Sequence, residues 1–298
     1  MTGCDIPHRQ NTEPFLVLLR ARSQFFKEAK RLQWTQFCLT VMVPICLGLI
    51  AIFSDSVRSV AAAVTLIITV VDATWMDRRL RQLYAIPVRV SERFDCLLYD
   101  LPWRVLIAGK PVDHEEIVRS ARRWSAGDAK LIDWYPVAVG RAPRGFARFV
   151  CQRTNLWYDS TLRRGYAKKL MIGAWSALAI FVALAIINDL NLINFVLSVV
   201  PTAPLMIWAI REALRQQDAA AANETLKSEV ESALDRWRTQ AMTAEEAEAR
   251  AREIQDGIFL RRVGASPMLL EKIYHWRRNE MEGQMNEGAD ELVTRAGY

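Results

Sequence analysis

Apolar residues in this chain concentrate in four runs that fall as two close pairs. Phe37 to Phe53 and Leu170 to Asn188 contain no Asp, Glu, Lys or Arg; as helices they reach about 26 and about 28 Å, enough to cross a hydrocarbon core. Leu190 to Ile210 is a third run of similar quality, interrupted by Pro201 and Pro204, which a membrane helix tolerates better than a soluble one. The second run in chain order is the weakest. Only Ser59 to Val71 is uncharged between Arg58 and Asp72, about 20 Å of helix, so a crossing there requires Arg58 to snorkel outward and Asp72 to lie near the far interface. Ser54 to Val57 and Asn188 with Asp189 leave room only for tight turns. The pattern therefore predicts two helical hairpins.

Charge orients them. Lys27, Lys30 and Arg31 precede the first run, Arg78, Arg79 and Arg81 follow the second, Arg163, Arg164, Lys168 and Lys169 precede the third, and Arg211 and Arg215 follow the fourth. The turns hold only Asp55, Arg58 and Asp189. By the positive-inside rule both termini and the long middle are cytosolic, and Trp34, Trp75, Trp175 and Trp208 sit at the same basic ends, where indoles favour the headgroup region. A soluble protein with four buried core helices is the competing reading; charge-free runs of this length, paired and flanked by basic residues, favour the bilayer. About 36 mostly polar residues precede the first run, so no cleavable signal peptide is expected.

Outside the runs the pattern stays helical, and the expected fold class is an all-α membrane protein with no strand. The predicted layout is an amphipathic cytosolic helix within 1–36, a first hairpin at 37–76, a basic helical domain at 77–169, a second hairpin at 170–210 and a helical region at 211–298 packing on the middle domain. Pro14 to Trp34 reads as the entering helix. Pro87, Pro102, Pro111, Pro136 and Pro143 predict several short helices in the middle. Asp113 with Glu116 has the form of a capping box before Ile117 to Trp124, and Pro143 opens a helix that extends toward the third run. Arg211 to about Trp237 is a further helix, Thr243 with Glu246 caps another to about Arg262, and Pro267 starts a last packed segment through Glu282.

Charge is divided unevenly. Asp77 to Lys169 holds 19 Lys and Arg against 10 Asp and Glu, net +9, whereas Arg211 to Tyr298 holds 13 against 17, net −4. The basic half is the expected home of an anionic partner, a lipid headgroup or a phosphate ligand. Cys4, Cys38, Cys46, Cys96 and Cys151 show no CxxC and no histidine at ligand spacing, and His8, His114 and His275 lie far apart, so reduced thiols and no metal site are expected.

The usual marks of catalysis are missing. Ala108-Gly109-Lys110-Pro111 lacks the upstream Gly and the Ser or Thr of a phosphate-binding loop, and there is no GxGxxG, GxSxG or HExxH; no enzyme, no catalytic residue and no cofactor is expected. What remains is a set of arginines and rings near the helices joining the hairpins. Guanidinium forks suit phosphate oxygens and indole faces suit bases, so Arg93, Arg104, Arg153, Arg163 and Arg164, with Trp103, Trp134, Tyr135 and Trp157 stacking or supporting, form a candidate ligand set. Each of these residues also has a plain structural use, as core ring or helix tie.

The same segments carry a family likeness. Ile6-Pro7-His8-Arg9-Gln10-Asn11-Thr12, Phe94-Asp95, Leu101-Pro102-Trp103, Trp134-Tyr135-Pro136, Cys151-Gln152-Arg153-Thr154-Asn155 with Asp159, Ile254-Gln255-Asp256 and Ala289-Asp290-Glu291-Leu292-Val293, in this order and with this span layout, resemble the SMODS-associated four-transmembrane effectors. The resemblance implies a multi-pass protein of the bacterial inner membrane, functionally associated with a nucleotidyltransferase. It implies activation by a cyclic di- or trinucleotide and permeabilisation of the membrane as a homo-oligomer in anti-phage defence. The alternative is a membrane-anchored interaction protein whose basic domain binds nucleic acid or acidic lipid, and a small transporter is a third reading that finds few polar groups at mid-bilayer.

Overall fold

The computed structural model describes residues 3–53, 55–187, 203–265 and 278–298. All regular secondary structure among the described residues is helical, with no strand. Helices α1 (Ile6–Arg9) and α2 (Glu13–Phe37) lead through a π-helical turn, Cys38–Met42, into α3 (Val43–Phe53); α4 (Asp55–Val71) returns through a second π turn, Asp72–Met76, into α5 (Asp77–Tyr99). Two short helices follow, α6 (Val105–Ala108) and α7 (His114–Arg122), and a 3₁₀ turn, Val137–Arg141. The chain then forms α8 (Arg144–Ile187), α9 (Ala203–Arg238), α10 (Ala244–Gly264) and α11 (Arg278–Arg295). Residues 190–202, the greater part of one apolar run, and the helix start expected at Pro267 lie outside the described residues.

Two long antiparallel pairs organise the molecule, and their side-chain rungs fix the register. Between α2 and α5, Arg22 Nε donates to Ser91 Oγ at 2.8 Å, Tyr84 Oη donates to Gln33 Oε1 at 2.9 Å, and Phe15 meets the edge of Phe94 at 5.7 Å between ring centres. The rung at the far end is Gln36 Nε2 to Asp72 Oδ1, 2.7 Å, set where the two π turns lie. Between α8 and α9, Arg153 pairs with Glu231 at 2.9 Å, Ser160 Oγ donates to Glu224 at 2.5 Å and Arg163 donates to Gln216, so the partner number falls as the other rises. Tyr166, Ala167, Leu170 and Ala213 then form a separate apolar cluster toward the second hairpin.

The main core gathers where these pairs meet α1, α7, α10 and α11. Phe94, Leu98, Tyr99, Phe146, Phe149, Val150 and Ile254 are buried there, and the burial keeps α5 helical through Pro87. A proline inside a helix removes one backbone hydrogen bond, so a break was expected there. Pro87, Val88 and Val90 instead face the core together, and the Pro87 carbonyl takes the Ser91 hydroxyl at 2.9 Å. The expected capping box of α7 is likewise absent, since Asp113 makes no side-chain cap bond, whereas the Thr243 and Glu246 box on α10 forms in both directions.

One close approach on the α8–α9 face is tight enough to test. A Cβ at Gly145 would lie 2.6 Å from the Trp237 ring, whose Nε1 donates to the Tyr298 hydroxyl at 3.2 Å. Gly145→Ala is therefore expected to cost about 1–3 kcal/mol through overpacking, read as a lowered midpoint in thermal unfolding of the detergent-solubilised protein.

No helix of the described residues is long and apolar enough to cross a membrane; each of the four apolar runs includes residues or side chains outside that description. The described part of the hairpins is nonetheless apolar on its outer surface. Val60, Leu66, Ile67, Trp75, Ile172, Trp175, Ile180 and Ile186 are all more than half exposed. Trp34 packs edge-on against Phe37, which in turn meets Trp208 at 4.6 Å, so the basic ends of the two hairpins touch through aromatic rings.

Candidate functional site

A polar centre lies inside the helical bundle, built from residues brought together across more than 150 positions of chain. Glu92, Asp95 and Cys96 share one face of α5, and Arg252, Gln255, Asp256 and Arg262 share one face of α10, both at the three- and four-residue spacing of a helix. The Arg252 guanidinium donates to Glu92 at 2.7 Å, to Asp256 at 2.8 Å, to the Cys96 sulfur at 2.9 Å and to the Pro102 carbonyl at 3.1 Å. Gln255 Nε2 reaches Glu92 at 2.8 Å and Asp95 at 3.2 Å, while Gln152 Nε2 reaches Gln255 Oε1 at 3.2 Å. Asp95 takes the Tyr135 hydroxyl at 2.7 Å on one oxygen and Arg262 at 2.6 Å on the other.

The centre extends to the N-terminal turn. Gln10, fully buried, donates to the Tyr135 carbonyl at 3.0 Å and accepts the Tyr135 amide at 2.8 Å, while Asn155 Nδ2 donates to the Tyr135 hydroxyl at 3.2 Å. Five of the sequence segments that carry the family likeness thus meet in one network, supplying Gln10, Asp95, Tyr135, Gln152 with Asn155, and Gln255 with Asp256; the carbonyl of Pro102 adds a sixth. Burial works against the charge on Arg252, but Glu92 and its other acceptors outweigh it and hold the proton more tightly than usual. Burial pushes the Tyr135 phenol well above its ordinary range, with Asp95 adding to the shift, and pushes the Cys96 and Cys151 thiols up likewise. Thiols so held are poor nucleophiles, in keeping with cysteines that are free and serve as packing.

The structure separates the nine candidate ligand residues. Tyr135 belongs to the buried centre. Arg104 pairs with Asp256 at 2.7 Å, Arg153 with Glu231 at 2.9 Å, and Arg164 with Glu224 at 3.4 Å. Arg163 is buried between Asp159, at 2.6 Å, and Gln216. The Arg22 guanidinium lies 4.8 Å from the centre of the Trp134 ring. Trp157, half-buried on α8, contributes its carbonyl to the Ser160 hydroxyl at 3.0 Å. Part of the basic excess of the middle region is thus answered from the acidic C-terminal region: Arg141 with Asp290 at 2.5 Å and Arg148 with Glu248 at 3.7 Å continue the pattern. Charge counted by segment could not reveal this cancellation.

Two candidates stay together and lack a carboxylate. Arg93, half-buried on α5, donates to the Val112 carbonyl at 3.1 Å and lies 3.5 Å from His114 Nδ1. Trp103 donates from Nε1 to the Gly109 carbonyl at 2.9 Å, on the same loop. Arg89, one turn before Arg93, reaches the Lys110 carbonyl at 3.5 Å. Arg89, Lys110 and His114 were outside the sequence-based set, although the four-residue spacing of Arg89 and Arg93 on a helix was there to be used. By contrast, the cleft where α9 turns into α10 is lined by Glu229, Glu246 and Glu253, and its Arg250 is already engaged by Glu229 at 2.6 Å and Glu253 at 3.0 Å. Its charge does not suit an anion. Among the described residues no group of His, Cys, Asp and Glu could hold a metal ion.

The buried polar centre and the apolar hairpins thus belong to one helical frame. The family model for the SMODS-associating 4TM effector domain matches residues 4–292, and the chain belongs to that family. It is also 21% identical over 286 residues to a probable CBASS effector molecule of Bacillus cereus (strain VD146), covering 93% of this chain and 94% of the relative. No solved structure matches. Family and relative together indicate an effector of CBASS anti-phage defence.

Proposed function

We infer that the protein is switched on by a cyclic oligonucleotide, made by an associated nucleotidyltransferase, and then permeabilises the bacterial inner membrane as an oligomer. The observation that carries this reading is helix continuity. The helix α2 passes through one π turn into α3, α4 passes through the other into α5, and α8 runs unbroken for 44 residues from the bundle to Ile187. At 1.5 Å per residue α8 alone is about 66 Å long. A shift of α5 against α8 or α10 within the bundle has no loop in which to be absorbed before it reaches the hairpins, and π turns inside α-helices recur at functional sites.

The outward-facing apolar side chains of the hairpins support the membrane part. Leu66 is 65% exposed and Ile186 71%, and a continuous sleeve of such residues is costly in water. Lipid would cover it, with Trp34, Trp75 and Trp175 at headgroup level. Two hairpins enclose too little space for an aqueous path, so permeabilisation requires several copies. The rival reading, a basic platform for nucleic acid or acidic lipid, is disfavoured by the pairing of Arg104, Arg141, Arg148, Arg153 and Arg164 with carboxylates.

Dye release from liposomes carrying the purified full-length protein tests the proposal. One member of a panel of cyclic di- and trinucleotides is expected to release the dye, with the linear counterpart inert. Release by none, or equal release by linear and cyclic forms, would overturn it.

A further inference from the structure

Most arginines packed between the helices of the bundle have a carboxylate, and two that do not are neighbours. Arg89 and Arg93 lie four residues apart on α5 and so point the same way. Arg89 spends one N–H on the Ala85 carbonyl of its own helix, 3.4 Å, and one on the Lys110 carbonyl, 3.5 Å. Arg93 spends one on the Val112 carbonyl, 3.1 Å, and turns another edge to His114. The facing segment thus sets the backbone of Lys110 against Arg89 and the imidazole of His114 against Arg93, and both of these side chains are exposed. Asp113, Glu115 and Glu116 flank His114 at the start of α7, and none of them forms an ion pair with either arginine.

Such an arrangement is repulsive as it stands. Like charges one helical turn apart destabilise a helix, and each guanidinium retains N–H donors that meet no acceptor among the described residues. An anion with several oxygens resolves both conditions, because arginine forks match phosphate oxygens and charge-assisted bonds are the strong ones. The loop is held for this: Trp103 pins the Gly109 carbonyl from its indole nitrogen, Gly109 takes a left-handed φ of 70° that a side chain resists, and Val112 is buried. The half-buried Trp103 ring packs against the Val88, Ala108 and Phe259 cluster, bonded to the Gly109 that precedes Lys110, and its exposed part would offer a face to a base, worth about 1–3 kcal/mol where stacking occurs.

We propose that Arg89, Arg93, Lys110 and His114 form a phosphodiester seat for a nucleotide, with Trp103 as its stacking wall. The proposal rests on the cyclic-oligonucleotide reading and gives that ligand a place. A phospholipid headgroup has the same chemistry, and position favours the free nucleotide. Arg89 lies 17 residues beyond Asp72, about 26 Å along the helix, whereas the headgroup layer adds only about 5–8 Å to each side of the hydrocarbon. The seat is also mechanically placed, since it bridges α5 to α7 a single turn from the Glu92 and Asp95 that bind α10.

The test is arginine footprinting of the full-length protein in detergent. Phenylglyoxal reacts with each guanidinium, and mass spectrometry reads the rate at each site without ligand, with sodium pyrophosphate, with the cyclic di- and trinucleotide panel, and with vesicles of phosphatidylglycerol. Arg89 and Arg93 are expected to be protected by pyrophosphate and, at much lower concentration, by one cyclic nucleotide. Arg104 and Arg153, already paired, keep their rates. Arg89→Gln with Arg93→Gln is expected to weaken that nucleotide about a hundredfold, the loss of two charge-assisted contacts, with the melting temperature of the free protein held within a few degrees. Protection by pyrophosphate but by no cyclic nucleotide would leave an anion seat standing and remove the cyclic-oligonucleotide reading. A nucleotide that releases dye yet leaves Arg89 and Arg93 unprotected, and binds the double variant as well as the parent, would overturn the seat while sparing that reading. Protection by the vesicles alone would assign the seat to lipid, and protection by nothing would overturn it outright.

Discussion

Replacing Arg252 with Ala is expected to lower the unfolding free energy by about 3–5 kcal/mol, the cost of stranding a buried charge. Glu92 and Arg252 are each buried to within a few percent, and Asp256 is nearly so. Truncating the arginine leaves the buried Glu92 without a cation and Asp256 with Arg104 alone, and also removes the donors to Cys96 and Pro102. A folded domain typically has about 5–15 kcal/mol to lose, so the variant approaches the threshold of folding. Arg252→Met should fare little better, because shape is restored while Glu92 stays without a cation. Chemical unfolding followed by circular dichroism in detergent checks this; a loss below about 1 kcal/mol would show that water or a rearranged Arg262 reaches the carboxylates.

Leu66→Arg separates the bilayer from water by magnitude. An exposed leucine on a soluble protein tolerates arginine within about 0.5 kcal/mol, whereas arginine at the centre of a membrane helix costs about 2.5–3.5 kcal/mol. Leu66 is 65% exposed, midway along the uncharged stretch of α4. The variant is therefore expected to lose most of its carbonate-resistant, membrane-embedded fraction in cells. Unchanged recovery in that fraction would mean that lipid does not face this position.

What the sequence made legible was local. The Thr243 box formed because both of its side chains lie within one turn of the groups they cap. Asp113 and Glu116 carry the same signature without the bonds, where the neighbouring Val112 carbonyl instead engages Arg93. Proline is a weaker break than its backbone chemistry suggests: Pro87 does not end α5, since packing against α2 offsets one missing backbone bond. Pro143, at the start of α8, behaved as expected, because a missing N–H there has no partner to lose.

Long-range pairing was the part that sequence could not supply. Asp95 and Arg262 are 167 residues apart, and Glu92 and Arg252 are 160 apart; any of several acids offered an equal match by charge alone. The segments that carry the resemblance nevertheless meet in space, because Gln10, Asp95, Tyr135, Gln152 and Gln255 are all members of one buried network. Their shared feature is that a polar group in a core must find a specific partner. The nine-residue ligand set mixed network members with helix ties and with Arg93 and Trp103, which hold the 109–112 segment through backbone carbonyls.

Single cysteines placed at Lys110 and at Leu66, in a chain whose native cysteines are replaced by serine or alanine, allow the topology to be measured directly. In spheroplasts treated with a membrane-impermeant maleimide, the thiol at position 110 should stay unlabelled until the membrane is opened, then react fully, while the thiol at position 66 should resist labelling in both conditions. Labelling at 110 in intact spheroplasts, or recovery of the chain in the soluble fraction with position 66 reactive, would contradict a cytosolic bundle joined by continuous helices to hairpins in the inner membrane.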